Sequence, residues 1–270
     1  YLDVPVDCPQ RDERFGWAGD VQIFANTAAY NADVHNYLKK YVQMLIDCQG
    51  EDGAFPEIAP SVSADSSANG WSDAGIILVW ELYQQYGDRE IIRDNLSAMC
   101  RYMDYLVDTS DDFIRTHPGY SDHNAMSTLD DDIINTAQCA YVAKLLSKMS
   151  ADIGENDIAK KYDMVYNQYK KAWQERYINE DGSIDCWIQA AYALGLAYGL
   201  YPEELETQGA ACLNTAVAAN DYHLNTGYIG TQFLLHVLCR YGYADTAYRI
   251  LQQDTYPSWN NMLSYGQTTL

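Results

Sequence analysis

The sequence predicts an all-α protein whose helices close into a ring. Apolar residues recur at helical spacing in about ten segments; Val21, Phe24, Ala25 and Ala28, for example, form one stripe at i, i+3, i+4 and i+7. No segment shows the convincing period-2 alternation of a β-strand. Long loops follow alternate helix pairs, and no repeat of fixed length is present, which disfavours an open solenoid.

The first two helices are predicted over residues 20–31 and 34–48, each with an apolar stripe. Gly50 and Gly53 end the second helix. A loop rich in Ser, Pro and Ala then continues to Gly70, and its length is typical of a functional loop rather than a simple connection.

Helical spacing resumes after this loop and continues to the end of the chain, interrupted by a second irregular stretch at 111–127. The further predicted helices cover residues 72–86, 88–107, 129–153, 156–177, 187–198, 202–218, 226–241 and 243–253. Paired helices can build a bundle, a solenoid or a closed toroid. The long loops favour the toroid, with functional loops collected on one face, and we predict a single domain over residues 1–270.

The composition limits the partners of the chain. Its 270 residues include 38 acidic and 17 basic side chains, a formal net charge of −21. This charge disfavours nucleic acid and anionic membrane surfaces, because both require clustered Lys and Arg. No run approaches the roughly 20 apolar residues of a membrane span. A neutral or cationic small molecule, or a sugar, is the expected ligand.

Seven cysteines are spread along the chain without a Cys-x-x-Cys pair, so zinc and thioredoxin-type sites are not predicted, and we interpret them as buried small hydrophobes. The chain begins at Tyr1 without a Met, which suggests a segment of a longer protein. The localisation is therefore left open.

Chemistry-bearing residues are densest at the start, where residues 7–20 read DCPQRDERFGWAGD. Carboxylates beside an aromatic ring are the groups that glycoside cleavage needs, because one acid protonates the leaving oxygen, a second carboxylate activates water and the sugar stacks on the ring. A solvated loop of ion pairs, with Asp20 as a helix N-cap, is the alternative interpretation of the same residues.

This string resembles the signature DCPQRDERLGWTGD of bacterial α-L-rhamnosidases, glycoside hydrolase family 78, and differs from it at Phe15 and Ala18. Three later segments also resemble the family. They are GWSDA at 70–74, DYHLNTGYIGT at 221–231, and YPSW at 256–259 followed by YGQTTL at 265–270.

The resemblance implies an (α/α)6 toroid, of the six-hairpin glycosidase type, that removes terminal α-L-rhamnose with inversion of configuration. It places the general acid at Glu13, with Asp20 as the alternative. The remaining candidates are substrate-binding residues: Asp7, Arg11, Trp17, Trp71, Asp73, Asp122, His123 and His223. Neither a cofactor nor a metal is implied, since both chemical steps are proton transfers.

The chain also departs from the family pattern. The general base of the family is the Glu of a Trp-Glu pair, and this Glu would be the second residue after Leu270. The resemblance therefore implies that the catalytic domain is truncated before its final helices. The 270-residue chain alone is expected to be inactive. The resemblance also implies β-sandwich domains elsewhere in the parent chain. A loop that often reads FGDW in the family reads YSDH here, with Ser121 for Gly and His123 for Trp.

Other functions remain open at this point. The departures at Ser121 and His123 would suit a sugar-binding relative with impaired catalysis, and the same toroid also serves other glycosidases and lyases. His223 suits a hydrogen bond within a loop as well as a sugar contact. Asp130, Asp131 and Asp132 are interpreted as a helix start rather than a calcium site.

Overall fold

The computed structural model of the chain describes residues 14–61, 67–127 and 129–267. Within these ranges the protein is helical, and extended pairing is limited to isolated bridges. The helices are α1 (Ala18–Asn31), α2 (His35–Asp47), α3 (Ala74–Tyr86), α4 (Arg89–Asp108), α5 (Asp131–Asp152), α6 (Asn156–Tyr177), α7 (Gln189–Tyr198), α8 (Glu206–Ala219), α9 (Tyr228–Arg240), α10 (Ala244–Leu251) and α11 (Trp259–Ser264), with a 3₁₀ turn at Glu203–Leu205. The all-α prediction is confirmed.

All ten predicted helices are present, and α11 is one that the sequence pattern missed. It has only six residues, too few for an apolar period to show. The Ser258 side chain caps it by accepting a hydrogen bond from the N–H of Asn261 at 3.1 Å.

The start of α1 differs from the sequence prediction. Asp20 was expected to be the N-cap, but the helix begins at Ala18 and Trp17 is the N-cap residue, with extended backbone angles. Asp20 lies in the first turn instead, where its carboxylate interacts favourably with the positive end of the helix dipole. The helix begins at Ala18 because the backbone of Trp17 pairs with that of Ile58 and so fixes the chain immediately before this residue.

The chain divides into two compact units. The first lies within Tyr1–Tyr120 and Gln138–Tyr169, and the second within Ser121–Ala137 and Lys170–Leu270. The prediction that residues 1–270 form a single domain stays a prediction.

In the first unit α3 packs against α1, α2 and α4 and forms the centre of the core. Leu78, Val79 and Leu82 of α3 are fully buried. A Cβ at Gly75 would lie 2.2 Å from the Phe55 ring, so a glycine is required where the loop after α2 crosses the start of α3. This contact holds the long loop between α2 and α3 against the helices.

In the second unit α7 packs against α8 and α9, and nearly all of its residues are buried. Two glycines allow aromatic rings to approach: a Cβ at Gly195 would lie 2.6 Å from Trp173, and one at Gly209 would lie 2.3 Å from Tyr201. This unit therefore combines small residues on its helices with large rings between them.

None of the described helices is both long and apolar enough to cross a lipid bilayer. The described cysteines carry free thiols. Cys139 is buried, as predicted, but Cys239 is exposed, so the interpretation of the cysteines as buried small hydrophobes does not hold for every position.

Candidate active site

Two backbone hydrogen bonds fix the segment that leads into α1. The N–H of Ala18 donates to the carbonyl of Glu57 at 2.8 Å, and the N–H of Ala59 donates to the carbonyl of Gly16 at 3.0 Å. Because these bonds flank Trp17 on both sides, the position of its backbone is set by the loop between α2 and α3.

The side chain of Trp17 belongs to an aromatic cluster of the first unit. The ring centroids of Trp17 and Tyr120 are 6.2 Å apart at 90°, and those of Trp71 and Tyr120 are 4.6 Å apart at 50°. Phe15 adds an edge contact to Trp17. Trp71 is only 3% exposed, and a Cβ at Gly19 would lie 2.6 Å from its indole, whereas Tyr120 is 37% exposed. Tyr120 and the half-buried Trp17 therefore supply the accessible aromatic surface of this cluster.

A buried carboxylate, which the sequence analysis did not single out, lies beside these rings. Glu57 is 5% exposed. Its Oε2 accepts a hydrogen bond from the Tyr120 hydroxyl at 2.7 Å, and its Oε1 accepts one from the N–H of Ala68 at 2.8 Å. Glu57 thus joins the loop after α2 to the loop after α4.

The same environment changes the ionisation of two neighbours. Burial and then the hydrogen bond to Glu57 raise the pKa of Tyr120 well above its usual value, so its hydroxyl stays protonated and remains a donor. Burial and the positive charge of Arg115 lower the pKa of His117, against an opposing effect of Glu57. At neutral pH the histidine is therefore predominantly uncharged.

Asp73 precedes α3 and is completely buried. Its carboxylate accepts from the Tyr102 hydroxyl at 2.8 Å, the N–H of Gly70 at 2.6 Å and the amide of Asn69 at 3.2 Å. Burial raises the pKa of Asp73, and these hydrogen bonds, together with the charge of Arg115, oppose the rise. Its hydrogen-bond partners are protein groups, and they fix the loop that carries Trp71.

The residues of the starting motif are only partly covered by the structure. Asp20 is partly exposed on the first turn of α1, three residues after Trp17. Asp7, Arg11 and Glu13 lie outside the described residues. Their assignments as sugar ligands and general acid stay predictions.

In the second unit Asp122 sits at the N-terminus of α9. Its carboxylate accepts hydrogen bonds from the backbone N–H groups of Gly227, Ile229 and Gly230, at 2.6, 2.8 and 2.9 Å. The side chain is 3% exposed. Burial raises its pKa, and the three backbone donors oppose the rise. A distant carboxylate therefore satisfies donors that a helix start leaves free.

The two departures from the family loop flank Asp122. Ser121 has a φ of 50°, in the left-handed region that favours glycine, and its hydroxyl donates to the carbonyl of Leu129 at 2.8 Å. The His123 ring meets the Tyr228 ring edge-on, with centroids 5.3 Å apart. His123 is partly exposed and lies where α9 begins.

His223 links two loops of the second unit. Its Nε2 is 2.8 Å from the Thr255 hydroxyl, in the loop before α11, and its Nδ1 is 3.3 Å from the carbonyl of Asn220. The side-chain amide of Gln189 donates to the His223 carbonyl at 2.9 Å. These contacts are those of a loop-bridging histidine, and a sugar contact for His223 stays a prediction.

The structure groups the described site candidates by unit. The first unit holds Trp17, Asp20, Trp71 and Asp73, and the second holds Asp122, His123 and His223. Sequence reasoning overlooked Glu57, which stands in the Pro-flanked segment Phe55–Pro60, and quoted Tyr120 only as part of a loop motif. An acidic residue inside a proline-bounded, long loop was the available signal for Glu57.

These groups suit a neutral, hydroxyl-rich ligand better than an ion. The first unit offers the aromatic faces of Trp17 and Tyr120, and sugar rings stack on such faces. Within the described ranges, no three His, Cys, Asp or Glu side chains are arranged to hold a metal ion.

Residues 1–270 match the family described as the bacterial alpha-L-rhamnosidase 6 hairpin glycosidase domain. The chain belongs to this family. The six-hairpin helical fold predicted from the sequence is thereby confirmed, as is the family resemblance.

Curated relatives extend the match over the whole chain. An alpha-L-rhamnosidase of Streptomyces avermitilis is 40% identical over 272 residues, covering 100% of this chain and 26% of the relative. Alpha-L-rhamnosidases of Alteromonas sp. and Formosa agariphila are 34% and 32% identical, again over 100% of this chain, and over 31% and 30% of their own lengths. The chain thus spans about a quarter to a third of the relatives it matches.

Solved structures agree. An alpha-L-rhamnosidase of Streptomyces avermitilis in complex with L-rhamnose superposes with a TM-score of 0.96 at 40% identity, covering 100% of this chain and 26% of that one. An alpha-L-rhamnosidase from Dictyoglumus thermophilum gives a TM-score of 0.92 at 31% identity, over 99% and 31% of the two chains.

Proposed function

We propose that the natural protein carrying this chain hydrolyses terminal α-L-rhamnosides with inversion of configuration. The relatives are named alpha-L-rhamnosidases, and one was solved with L-rhamnose. The observation on this chain that supports the proposal most directly is the contact between two accessible rings, Trp17 and Tyr120, of which Trp17 belongs to the motif DCPQRDERFGWAGD. Rhamnose has an apolar face and a methyl group that can lie on such rings.

In the proposed mechanism Glu13 is the general acid that protonates the glycosidic oxygen, and Asp20 is the alternative acid. A second carboxylate, expected in a Trp-Glu pair after Leu270, removes a proton from the attacking water. Inversion requires the two carboxyl groups to be roughly 6.5–9.5 Å apart, which leaves room for that water. The acid must hold its proton near neutral pH, which hydrophobic surroundings favour by raising the pKa of a carboxyl group.

Binding is assigned to the remaining motif residues. We propose that Asp7, Arg11 and Asp20 bind sugar hydroxyls and that Trp17 forms a wall. Trp71 and Asp73 act by holding a loop of the first unit, and Asp122 acts by holding a loop of the second, since these side chains are buried. His123 and His223, both partly exposed, are proposed to contribute polar contacts in the second unit.

The test is hydrolysis of an aryl α-L-rhamnoside by the natural protein, with the anomer formed first identified by NMR. Glu13→Gln should lower kcat by about 10³-fold or more, because general acid catalysis of this kind contributes 10²–10⁴-fold. Glu175→Gln is the matched control, since Glu175 is exposed on α6 and pairs with Lys171. Wild-type-like kcat in the Glu13 variant would remove this residue from the mechanism, and a first product of retained configuration would reject inversion.

The base assignment has its own test. The 270-residue chain and the natural protein that carries it are assayed side by side on the same aryl rhamnoside. If the general base follows Leu270, as proposed, the 270-residue chain is expected to be inactive, and equal rates for the two proteins would overturn the assignment.

A sugar-binding role without turnover is the second candidate, favoured by Ser121 and His123 in the loop beside α9. L-Rhamnose is titrated against tryptophan fluorescence of the natural protein. Saturable binding without hydrolysis of any rhamnoside tested would select this second role, while hydrolysis would reject it.

A further inference from the structure

We propose that Glu57 is a positioning residue that holds Tyr120 as a wall of the sugar site next to Trp17. The inference rests on the proposed function in one respect, namely that the ligand at these rings is a rhamnoside. It concerns a residue outside the DCPQRDERFGWAGD motif and outside the segments that resemble the family.

Both oxygens of the Glu57 carboxylate have defined donors. Oε1 accepts from the N–H of Ala68, which begins the last part of the loop before α3, and Oε2 accepts from the Tyr120 hydroxyl. The backbone carbonyl of the same residue accepts from the N–H of Ala18 at the start of α1. One residue therefore connects three separate segments that carry Trp17, Trp71 and Tyr120.

The Tyr120 ring is restrained at both ends. Trp71, itself buried against Gly19, supports the ring from one side at a centroid distance of 4.6 Å. Glu57 fixes the hydroxyl end. The 37% of Tyr120 that remains exposed is then presented beside Trp17 in one orientation rather than several. A preoriented ring loses less conformational entropy when a sugar stacks on it.

A carboxylate suits this position because its two oxygens are acceptors only, and the two groups that face it are donors. A glutamine would turn its NH₂ group toward one of the donors. The Tyr120 hydroxyl could rotate and accept from that group, so Glu57→Gln should be milder than Glu57→Ala, which removes the carboxylate that accepts from both the Ala68 N–H and the hydroxyl.

The experiment uses the natural protein with three variants, Tyr120→Phe, Glu57→Gln and Glu57→Ala. The matched control is Tyr241→Phe, because the Tyr241 hydroxyl donates to Glu206 at 2.8 Å in a comparable half-buried pair of the second unit. Four quantities are measured: kcat and KM on an aryl α-L-rhamnoside, near-ultraviolet circular dichroism of the unliganded protein, and the midpoint of thermal unfolding.

We expect Tyr120→Phe to raise KM by about tenfold, the effect of losing roughly 1.4 kcal/mol of binding free energy, with kcat changed by less than about threefold. Glu57→Ala should raise KM at least as much, and Glu57→Gln less. The aromatic circular dichroism should change in Tyr120→Phe and Glu57→Ala, since coupling between Tyr120, Trp71 and Trp17 depends on ring orientation. Tyr241→Phe should leave KM at the wild-type value.

A lower unfolding midpoint in Glu57→Ala with unchanged KM and unchanged aromatic circular dichroism would overturn the proposal, because that result describes a merely structural residue. Equal increases of KM in Tyr120→Phe and Tyr241→Phe would overturn it as well. If the wild-type protein neither hydrolyses nor binds rhamnosides, the proposed function fails. The circular dichroism then still decides whether Glu57 orients Tyr120.

Discussion

Asp73 in the first unit and Asp122 in the second are both buried carboxylates next to a predicted sugar-binding motif, yet the protein holds them differently. Asp73 receives its hydrogen bonds mainly from side chains, those of Tyr102 and Asn69, with Gly70 as the backbone donor. Asp122 receives its three from the backbone at the start of α9. One residue type thus fixes two loops by different physical means.

The difference shows which neighbours each loop depends on. The network around Asp73 is specified by the identity of its partners, so several separate substitutions can weaken it. The donors to Asp122 are backbone groups that only a substitution to proline removes, but they require an acceptor with both oxygens available. Asp122 itself should therefore dominate the stability of its loop, whereas the loop of Asp73 should share that dependence among several residues.

The largest expected effect is that of Asp73→Asn, which should lower the free energy of unfolding by about 3 kcal/mol. The substitution turns an amide NH₂ group toward buried donors, and it removes a negative charge that attracts the buried Arg115. Urea denaturation measures it. The exposed Asp94 of α4 offers the control, since Asp94→Asn should have almost no effect. A cost for Asp73→Asn equal to that of the control would break the comparison.

Asp122→Asn should lower the free energy of unfolding by about 2 kcal/mol, since one carbonyl oxygen cannot serve three backbone donors. The control is Asp245→Asn, an exposed aspartate in the first turn of α10. Hydrogen exchange of the Gly227, Ile229 and Gly230 amides should accelerate in the Asp122 variant only. Unchanged exchange at these three amides would show that the loop does not depend on this carboxylate.

Ser121 next to Asp122 gives a smaller effect. Ser121→Gly and Ser121→Ala both remove the hydrogen bond to Leu129, but only glycine relieves the φ of 50°. The glycine variant should therefore be more stable than the alanine variant by about 1 kcal/mol, as measured by chemical denaturation. Equal stabilities would mean that the backbone at Ser121 is not strained.

The smallest effect concerns pH and a capping aspartate of the first unit. Asp88 caps α4 by accepting from Ile91 at 3.1 Å and contacts His35 at 2.8 Å. Partial burial opposes the shift, but the bonds from His35 and Ile91 and the charge of Lys39 lower the pKa of Asp88. Burial raises that of Asp122. The two capping carboxyls should therefore titrate on opposite sides of their ordinary value near 4 in carboxyl NMR spectra.

The sign for stability follows from these directions. The contribution of Asp88 is present above the unfolded pKa of about 4 and is lost as the pH falls through the lower folded pKa. The folded state binds the proton of Asp122 more tightly than the unfolded state does. The stability that this proton contributes is therefore present below the unfolded pKa and is lost as the pH rises through the raised pKa. Asp88→Asn keeps the cap and removes the charge, so it should cost under about 1 kcal/mol at pH 7 and progressively less as the pH falls below about 4. A cost that does not vary with pH would contradict the lowered pKa.

Most of the fold was predictable because its helices are long enough for an apolar period to show. The errors lie where a local pattern competes with a distant contact. Aspartate is a common N-cap residue, so the sequence predicts a cap at Asp20. Because Trp17 pairs with Ile58, however, α1 begins earlier, at Ala18. The short helix α11 depends on the Ser258 cap rather than on periodicity.

The candidate site divides in the same way. Trp17 and Asp20 stand in one contiguous string, so the sequence alone predicts that they belong to one site. Glu57 and Tyr120 are 63 residues apart, and Asp122 and Gly227 are 105 apart. No spacing rule relates residues at such separations, because the contact is made by the fold and not by a shared helix face. Long-range polar contacts of this kind required the structure.

The contact between Gly19 and the indole of Trp71 constrains the order in which this domain can evolve. With Trp71 in place, even an alanine at position 19 would meet the ring at 2.6 Å. A larger residue at 19 becomes acceptable only after Trp71 has been replaced by something smaller, and that replacement first opens a cavity behind Tyr120. Each single step is costly, so the two positions should change together or not at all. A mutant library intended to reshape the aromatic cluster around Trp71 should therefore vary positions 19 and 71 together.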